Sequence, residues 1–129
     1  DVYKRQPMST MAPVIVFDEN KDLMLITGSP GGSLIPAAIL RVITGVIDFN
    51  LNIGEATMLT RVHKDWPTTG ILHEKTLSSD LAKGLNIIGH KVTEEHTMGS
   101  TQSIHIVDGI NYGYADLRRP NASVSIQPN

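Results

Sequence analysis

Cysteine is absent from the 129 residues. That excludes disulfide frameworks, thiolate metal sites and a cysteine nucleophile, but leaves the compartment open, because exported proteins also fold without disulfides. Aromatic residues are scarce at 5%, with Trp66 the single tryptophan. Excess charge of either sign is also lacking: 11 basic side chains face 13 acidic ones, a formal net charge of −2. Nucleic-acid binders usually carry a basic stripe or a pI above about 9, so neither nucleic acid nor an anionic membrane is expected as a partner. The longest apolar stretch, Leu34 to Phe49, is broken by Arg41 and Asp48 and falls short of the ~20 residues that span a bilayer. Asp1 to Gln6 has neither an initiator methionine nor the charged-then-apolar build of a signal peptide, so a fragment or a processed chain is expected.

Hydrophobic residues make up 40% of the chain. At this length a self-sufficient chain is one domain burying roughly 68% of its unfolded surface. Pro13 to Phe17 and Leu23 to Thr27 are apolar runs around the polar cluster Asp18-Glu19-Asn20-Lys21-Asp22, which predicts a β-hairpin. Both runs are nearly continuous rather than alternating, so both faces of these strands are expected to be covered. After the breaker cluster Gly28 to Ser33, apolar residues recur every three or four positions from Leu34 to Ile47, the pattern of a buried amphipathic helix with Ser33 as N-cap.

Asn52 to Leu59 predicts a shorter helix, with Glu55 at capping-box distance from Asn52. Pro67 and Gly70 mark a loop, and a further helix runs from Ser78-Ser79-Asp80 to its stop at Gly89, capped by Ser79 or Asp80. Lys91 to Glu95, Gln102 to Val107 and Tyr112 to Asp116 read as strands, the last two joined across Asp108-Gly109, a common hairpin signal. The tail from Pro120 to Asn129 reads as loop. The whole is a single α+β unit, with strands at both ends and helices between.

The strongest local signal for chemistry is a strand running through Gly31-Gly32 into a helix. Such a turn presents backbone N–H groups at the positive end of the helix dipole, where an anion or a developing oxyanion can bind. The same pattern serves an ordinary tight strand-to-helix turn, and spacing does not choose between the two. The lysine and hydroxyl of a phosphate-binding loop are missing. Ser9-Thr10, set between Pro7 and Pro13, places two adjacent hydroxyls just before the first strand, suited either to holding a carboxylate or to bonding their own backbone.

The histidines His63, His73, His90, His96 and His105 show no zinc spacing, so no metal site is expected. His63-Lys64-Asp65-Trp66 looks the most functional of the groups around them, although a Trp anchoring a loop is the commoner role. A Ser-His-Asp triad has no GxSxG elbow to support it. Met98-Gly99-Ser100-Thr101-Gln102-Ser103 is compact, polar and strand-initial, suited to lining a site, although as a motif on its own a structural turn is the commoner role.

Taken in order, these segments resemble the γ-glutamyltransferase (γ-glutamyltranspeptidase, glutathione hydrolase) family. Pro7-Met8-Ser9-Thr10-Met11-Ala12-Pro13 is similar to its P-L-S-S-M-x-P segment, and Thr27 to Ser33 to its T-G-S-P-G-G-S segment. Val46 to Phe49 with Asn52 to Ala56, then Arg61-Val62-His63 with Trp66, then Met98 to Ser103 follow in the same register, from about Pro7 to about Arg118.

The resemblance implies the C-terminal part of the small subunit of an N-terminal-nucleophile hydrolase, part of an αββα four-layer sandwich. Residues 7–119 would form a partial small-subunit domain, with residues 1–6 a poorly matching leader and 120–129 an irregular tail. In the family a precursor cleaves itself to expose a catalytic threonine, which attacks the γ-glutamyl amide of glutathione and related compounds. The resulting acyl-enzyme passes the glutamyl group to water or to an amino acid or peptide. By position, Ser9 and Thr10 would bind the substrate α-carboxylate, and Gly31 and Gly32 would donate backbone N–H groups to the oxyanion.

Thr10 stands where many relatives have a second serine, which keeps the hydroxyl and adds a methyl. The family's nucleophile segment begins with two threonines and a histidine, whereas the only Thr-Thr pair here, Thr68-Thr69, is followed by Gly70, so the resemblance implies that the nucleophile lies outside this chain. The large subunit and the rest of the small subunit are the implied partners, no cofactor is implied, and the implied location is periplasmic or extracellular. The alternatives are a glutaryl- or cephalosporin-type acylase fragment and a non-catalytic module binding small carboxylates. As a part of a larger domain, the chain would bury less than the self-sufficient figure.

Overall fold

In the computed structural model, residues 11–65 and 70–125 are described. The first strands are β1 (Val14–Phe17) and β2 (Leu23–Gly28), followed by a 3₁₀ turn at Gly32–Leu34, α1 (Ile35–Ile47) and α2 (Ile53–Met58). Then come β3 (Val62–His63), β4 (Gly70–Glu74), α3 (Ser79–Ile87), β5 (Lys91–Glu95), β6 (Gln102–Val107) and β7 (Ile110–Ala115).

Two sheets form. The larger has the order β1-β2-β6-β7 with every neighbour antiparallel, and the smaller has the order β3-β4-β5. The predicted hairpin of β1 and β2 is present, and its turn is built by Asp18, whose Oδ1 accepts from the N–H of Asn20 and of Asp22, each at 2.9 Å. At the other hairpin, Asp108 and Gly109 take φ of 51° and 75°, the paired positive values that match the twist of two joined strands. Pairing therefore starts at Val107 with Ile110, two residues before the predicted start at Tyr112.

One face of the larger sheet carries the core. Leu25 of β2 is fully buried with Val42 and Val46 of α1 and with Ile53 and Ala56 of α2, flanked by Val16, Ile43, Leu51 and Tyr114. The two helices approach closely because Gly45 has no side chain, and a Cβ there would lie 2.8 Å from that of Ala56. The capping box of α2 forms as predicted: Asn52 Oδ1 accepts from Glu55 N–H at 2.9 Å, and Glu55 Oε2 accepts from Asn52 N–H at 3.1 Å.

Several expectations are corrected. Covered strand faces are found only on the helix side, for Ile15 and Phe17 on the opposite face are 57% and 58% exposed. An apolar run records what both faces would tolerate, and among the described residues the α1–α2 layer covers one face while the other meets the tail at Val124 over Gly113. Ser33 is no cap. It lies inside the 3₁₀ turn, and Leu34 precedes α1 without any side-chain cap bond. For α3 the cap is Ser78, whose Oγ accepts from Leu81 N–H at 3.3 Å, one residue before the expected Ser79 or Asp80.

The region read as loop around Gly70 holds β3 and β4. β3 has only two residues and β4 two adjacent apolar ones, too little for a periodic signal, and both exist through pairing. β4 pairs in parallel with β5, and α3 supplies the crossover that parallel strands require. The tail has no regular structure through Ser125, although Val124 lies over Gly113, where a Cβ would come within 2.7 Å of it.

Candidate functional site

The segment after β2 turns sharply. Gly31 has φ of 141° and Gly32 of 58°, values that side chains resist and glycine adopts freely. Leu34 N–H donates to Gly31 C=O at 3.1 Å, closing the 3₁₀ turn that leads into α1. Neither the turn nor the helix has a side-chain cap. Backbone N–H groups at such a start carry the positive end of the helix dipole, suited to a negatively charged oxygen. The two glycines read from the sequence sit side by side in this turn.

Behind the turn lies the loop Met98 to Thr101, which is buried throughout. Gly99, with φ of 71°, packs so tightly that a Cβ on it would sit 2.7 Å from Ser29 Oγ and 3.1 Å from Ala38 Cβ, while a Cβ on Gly31 would sit 3.3 Å from Gly99 Cα. Ser100 N–H donates to Ser29 Oγ at 3.0 Å, and Ser29 Oγ donates to the Pro30 carbonyl at 2.8 Å. The polar segment read as a structural turn is therefore the wall against which the glycine turn is set.

This wall is pinned by buried charges that the residue-by-residue reading did not bring together. Arg61 donates to Met98 C=O at 2.6 Å, to Thr101 Oγ1 at 3.1 Å and to Asp116 Oδ2 at 2.7 Å. Asp116 Oδ2 also accepts from Thr101 N–H at 2.9 Å, and Glu74 Oε1 accepts from Met98 N–H at 3.2 Å. Arg118 grips Glu74 with two bonds, at 2.6 and 2.7 Å, and donates to the carbonyls of Thr57 and Leu59 at the end of α2.

Burial pushes the Glu74 and Asp116 carboxyls up. The Arg118 side chain and the N–H groups of Arg61 and Met98 outweigh this at Glu74, as do the N–H groups of Arg118 and Thr101 with Arg61 at Asp116. Both end below the ordinary carboxylate range. Burial, then the neighbouring Arg118, draws Arg61 below its ordinary value against the pull of Asp116; Arg118 resists its own burial through Glu74 and ends above. Both guanidiniums stay charged at any ordinary pH. The sequence hints at the cluster only through Arg61 in its motif, because partners as far apart as Arg61 and Asp116 meet only in the folded chain.

The remaining expected residues separate. Ser9, Thr10 and Trp66 lie outside the described residues. The chain enters β1 with Val14 opposite Thr27, so the residues that follow Ser9-Thr10 join the sheet at the end from which the glycine turn departs. His63 pairs with Asp65 at 2.7 Å, and His73 lies buried with Nδ1 2.9 Å from Glu74 O. His105 lines a cavity of about 660 Å³ with Tyr112, Tyr114 and Asn52, its pKa lowered by burial. No group of metal-ligating side chains is found among the described residues.

A family model described as Gamma-glutamyltranspeptidase matches residues 3–126. The chain belongs to that family. The glutathione hydrolase proenzyme of Escherichia coli (strain K12) is 43% identical over 115 residues, which are 88% of this chain and 20% of that protein. The glutathione hydrolase proenzyme of Bacillus subtilis (strain 168) is 30% identical over 95% of this chain and 21% of its own length. The chain thus spans about one fifth of these curated relatives.

A Helicobacter pylori γ-glutamyltranspeptidase structure superposes with a TM-score of 0.82 at 36% identity, covering 90% of this chain and 64% of that one. The α+β arrangement is accordingly part of the N-terminal-nucleophile hydrolase fold of γ-glutamyltranspeptidases. No helix among the described residues is long and apolar enough to cross a membrane.

Proposed function

We propose that this chain is the C-terminal part of the small subunit of a γ-glutamyltransferase or glutathione hydrolase, and that Gly31 and Gly32 donate backbone N–H groups to the oxyanion of its tetrahedral intermediates. The observation that carries the reading is the left-handed glycine pair in the 3₁₀ turn that leads into α1, within a chain of this family. The catalytic threonine lies upstream, at the start of the small subunit after self-cleavage. Its hydroxyl oxygen attacks the γ-glutamyl carbonyl carbon while its own amine takes the hydroxyl proton, and negative charge collects on the carbonyl oxygen.

Two N–H groups facing that oxygen stabilise it more than the neutral amide, which lowers the barrier. Collapse expels the amine, which receives the proton, and leaves an acyl-enzyme that water or an acceptor amine opens through a second such intermediate. Ser9 and Thr10 bind the α-carboxylate of the glutamyl group. That assignment is supported by the sheet register, which brings the residues after them to the end where the glycine turn departs. The large subunit and the rest of the small subunit complete the enzyme in the periplasm or outside the cell, with no cofactor, and this chain by itself is inactive.

The test is release of a chromophore from a γ-glutamyl anilide by the complete, self-cleaved protein. Gly31→Val demands φ of 141° from a β-branched residue and places a Cβ 3.3 Å from Gly99 Cα, so the turn must reset. Turnover is expected to fall about 10²–10³-fold, and an unchanged rate would overturn the role. Faster cleavage of glutaryl than of γ-glutamyl amides would favour an acylase, whereas turnover by the isolated chain would show that the nucleophile has been misplaced. Saturable glutamate binding with no turnover by the complete protein would favour a binding module.

A further inference from the structure

We infer that the Ser29 hydroxyl is a positioning group that aims the Gly31 N–H, so that the loop Met98 to Thr101 sets the direction of an oxyanion donor it does not itself supply. The inference rests on the oxyanion role proposed for Gly31. Ser29 has one hydroxyl proton, and its acceptor side is taken by Ser100 N–H at 3.0 Å. The proton goes to the Pro30 carbonyl at 2.8 Å. The Pro30–Gly31 peptide unit is planar, and in a trans unit the carbonyl and the following N–H point in opposite directions. Holding the Pro30 C=O toward Ser29 therefore holds the Gly31 N–H away from the loop, on the face of the turn that the loop leaves uncovered.

Rotation of that peptide plane is the alternative, and glycine at position 31 eases it, because the rotation changes ψ of Pro30 together with φ of residue 31, and glycine takes φ of either sign. The same freedom that lets the turn adopt φ of 141° would let its N–H wander, and Ser29 removes it. Ser29 is held in turn. Ser100 lies between Gly99, which touches Gly31 and Ser29, and Thr101, whose N–H and Oγ1 are bound by the charges of Asp116 and Arg61. A side chain at Gly99 would displace Ser29 Oγ directly, since a Cβ there lies 2.7 Å from it.

The experiment measures kcat and KM for the γ-glutamyl anilide in the complete, self-cleaved protein carrying Ser29→Ala, Ser29→Cys or Ser29→Thr, with Gly31→Val as reference. A donor misaimed by a fraction of an ångström to an ångström costs up to about 10²-fold. Ser29→Ala is therefore expected to lower kcat about 10- to 100-fold and leave KM nearly unchanged, because the neutral substrate carbonyl depends little on the donor. Ser29→Cys, a weaker donor of similar size, should fall between, and Ser29→Thr, which keeps the hydroxyl, should restore most of kcat. The cysteine variant carries the test should the alanine variant not fold.

Wild-type kcat in the alanine or cysteine variant, with Gly31→Val impaired, overturns the aiming role and leaves the oxyanion reading standing. Equal losses in the alanine and threonine variants, or a rise in KM alone, also overturn it. Wild-type kcat in Gly31→Val removes the oxyanion reading and this inference together.

Discussion

Arg61 and Asp116, 55 residues apart in sequence, form an ion pair of 2.7 Å with side chains 1% and 0% exposed. Charges so deeply withdrawn from water are tolerable only because nearly every polar atom is matched. Arg61 Nε is an exception, buried without a partner among the described residues. The pair is better understood as placing backbone than as adding net stability, since a buried pair often does little better than an apolar replacement of like volume. What it places is the loop behind the glycine turn.

Removing one partner should be far worse than removing both. Arg61→Met in the complete protein leaves Asp116 buried with a major partner gone and is expected to lower stability by about 3–5 kcal/mol. Adding Asp116→Leu should recover part of that loss. Denaturant unfolding of the single and double variants measures the coupling, and additive losses would show that the two residues act independently.

Acid should loosen the same cluster. The native pKa values of Glu74 and Asp116 lie below the ordinary carboxylate range, and unfolded carboxyls titrate near 4. Between the two values the unfolded chain binds more protons, so this contribution is complete above the unfolded pKa and is lost as pH falls through the native one. Thermal midpoints are expected to drop steeply below about pH 4. Glu74→Gln should flatten that drop while lowering the midpoint at neutral pH.

Between α1 and α2 the critical feature is missing volume. Gly45→Ala would place a methyl 2.8 Å from Ala56 Cβ and should destabilise by about 1–3 kcal/mol through overpacking, outweighing the roughly 1 kcal/mol that alanine adds to a helix interior. Ala56→Gly in the same protein should relieve the clash, and a melting comparison of the three variants checks this. A stabilised single variant would show that the helices separate without cost.

At the start of α2, Asn52→Ala removes the acceptor for Glu55 N–H and should cost about 1 kcal/mol. Asn52→Asp keeps an acceptor oxygen and should keep most of the stability. Circular dichroism melts of both variants separate the cap from any effect of side-chain size.

By itself the sequence determined the elements whose causes are local. The β1–β2 turn follows from Asp18 bonding its own backbone, the α2 start from Asn52 and Glu55, the β6–β7 hairpin from Asp108-Gly109, and the glycine turn from residues that alone tolerate its dihedrals. Motif order also carried the family, because several short segments in one register are specific where each alone is not. The tertiary structure decided whatever depends on partners distant in the chain. β3 and β4 exist by pairing rather than by periodicity, and the exposed face of β1 reflects which layers are present to cover it. The union of Arg61, Glu74, Asp116 and Arg118 around the loop at Met98 has no local signature, since a buried charge is recognisable only once its counter-charge has been brought beside it.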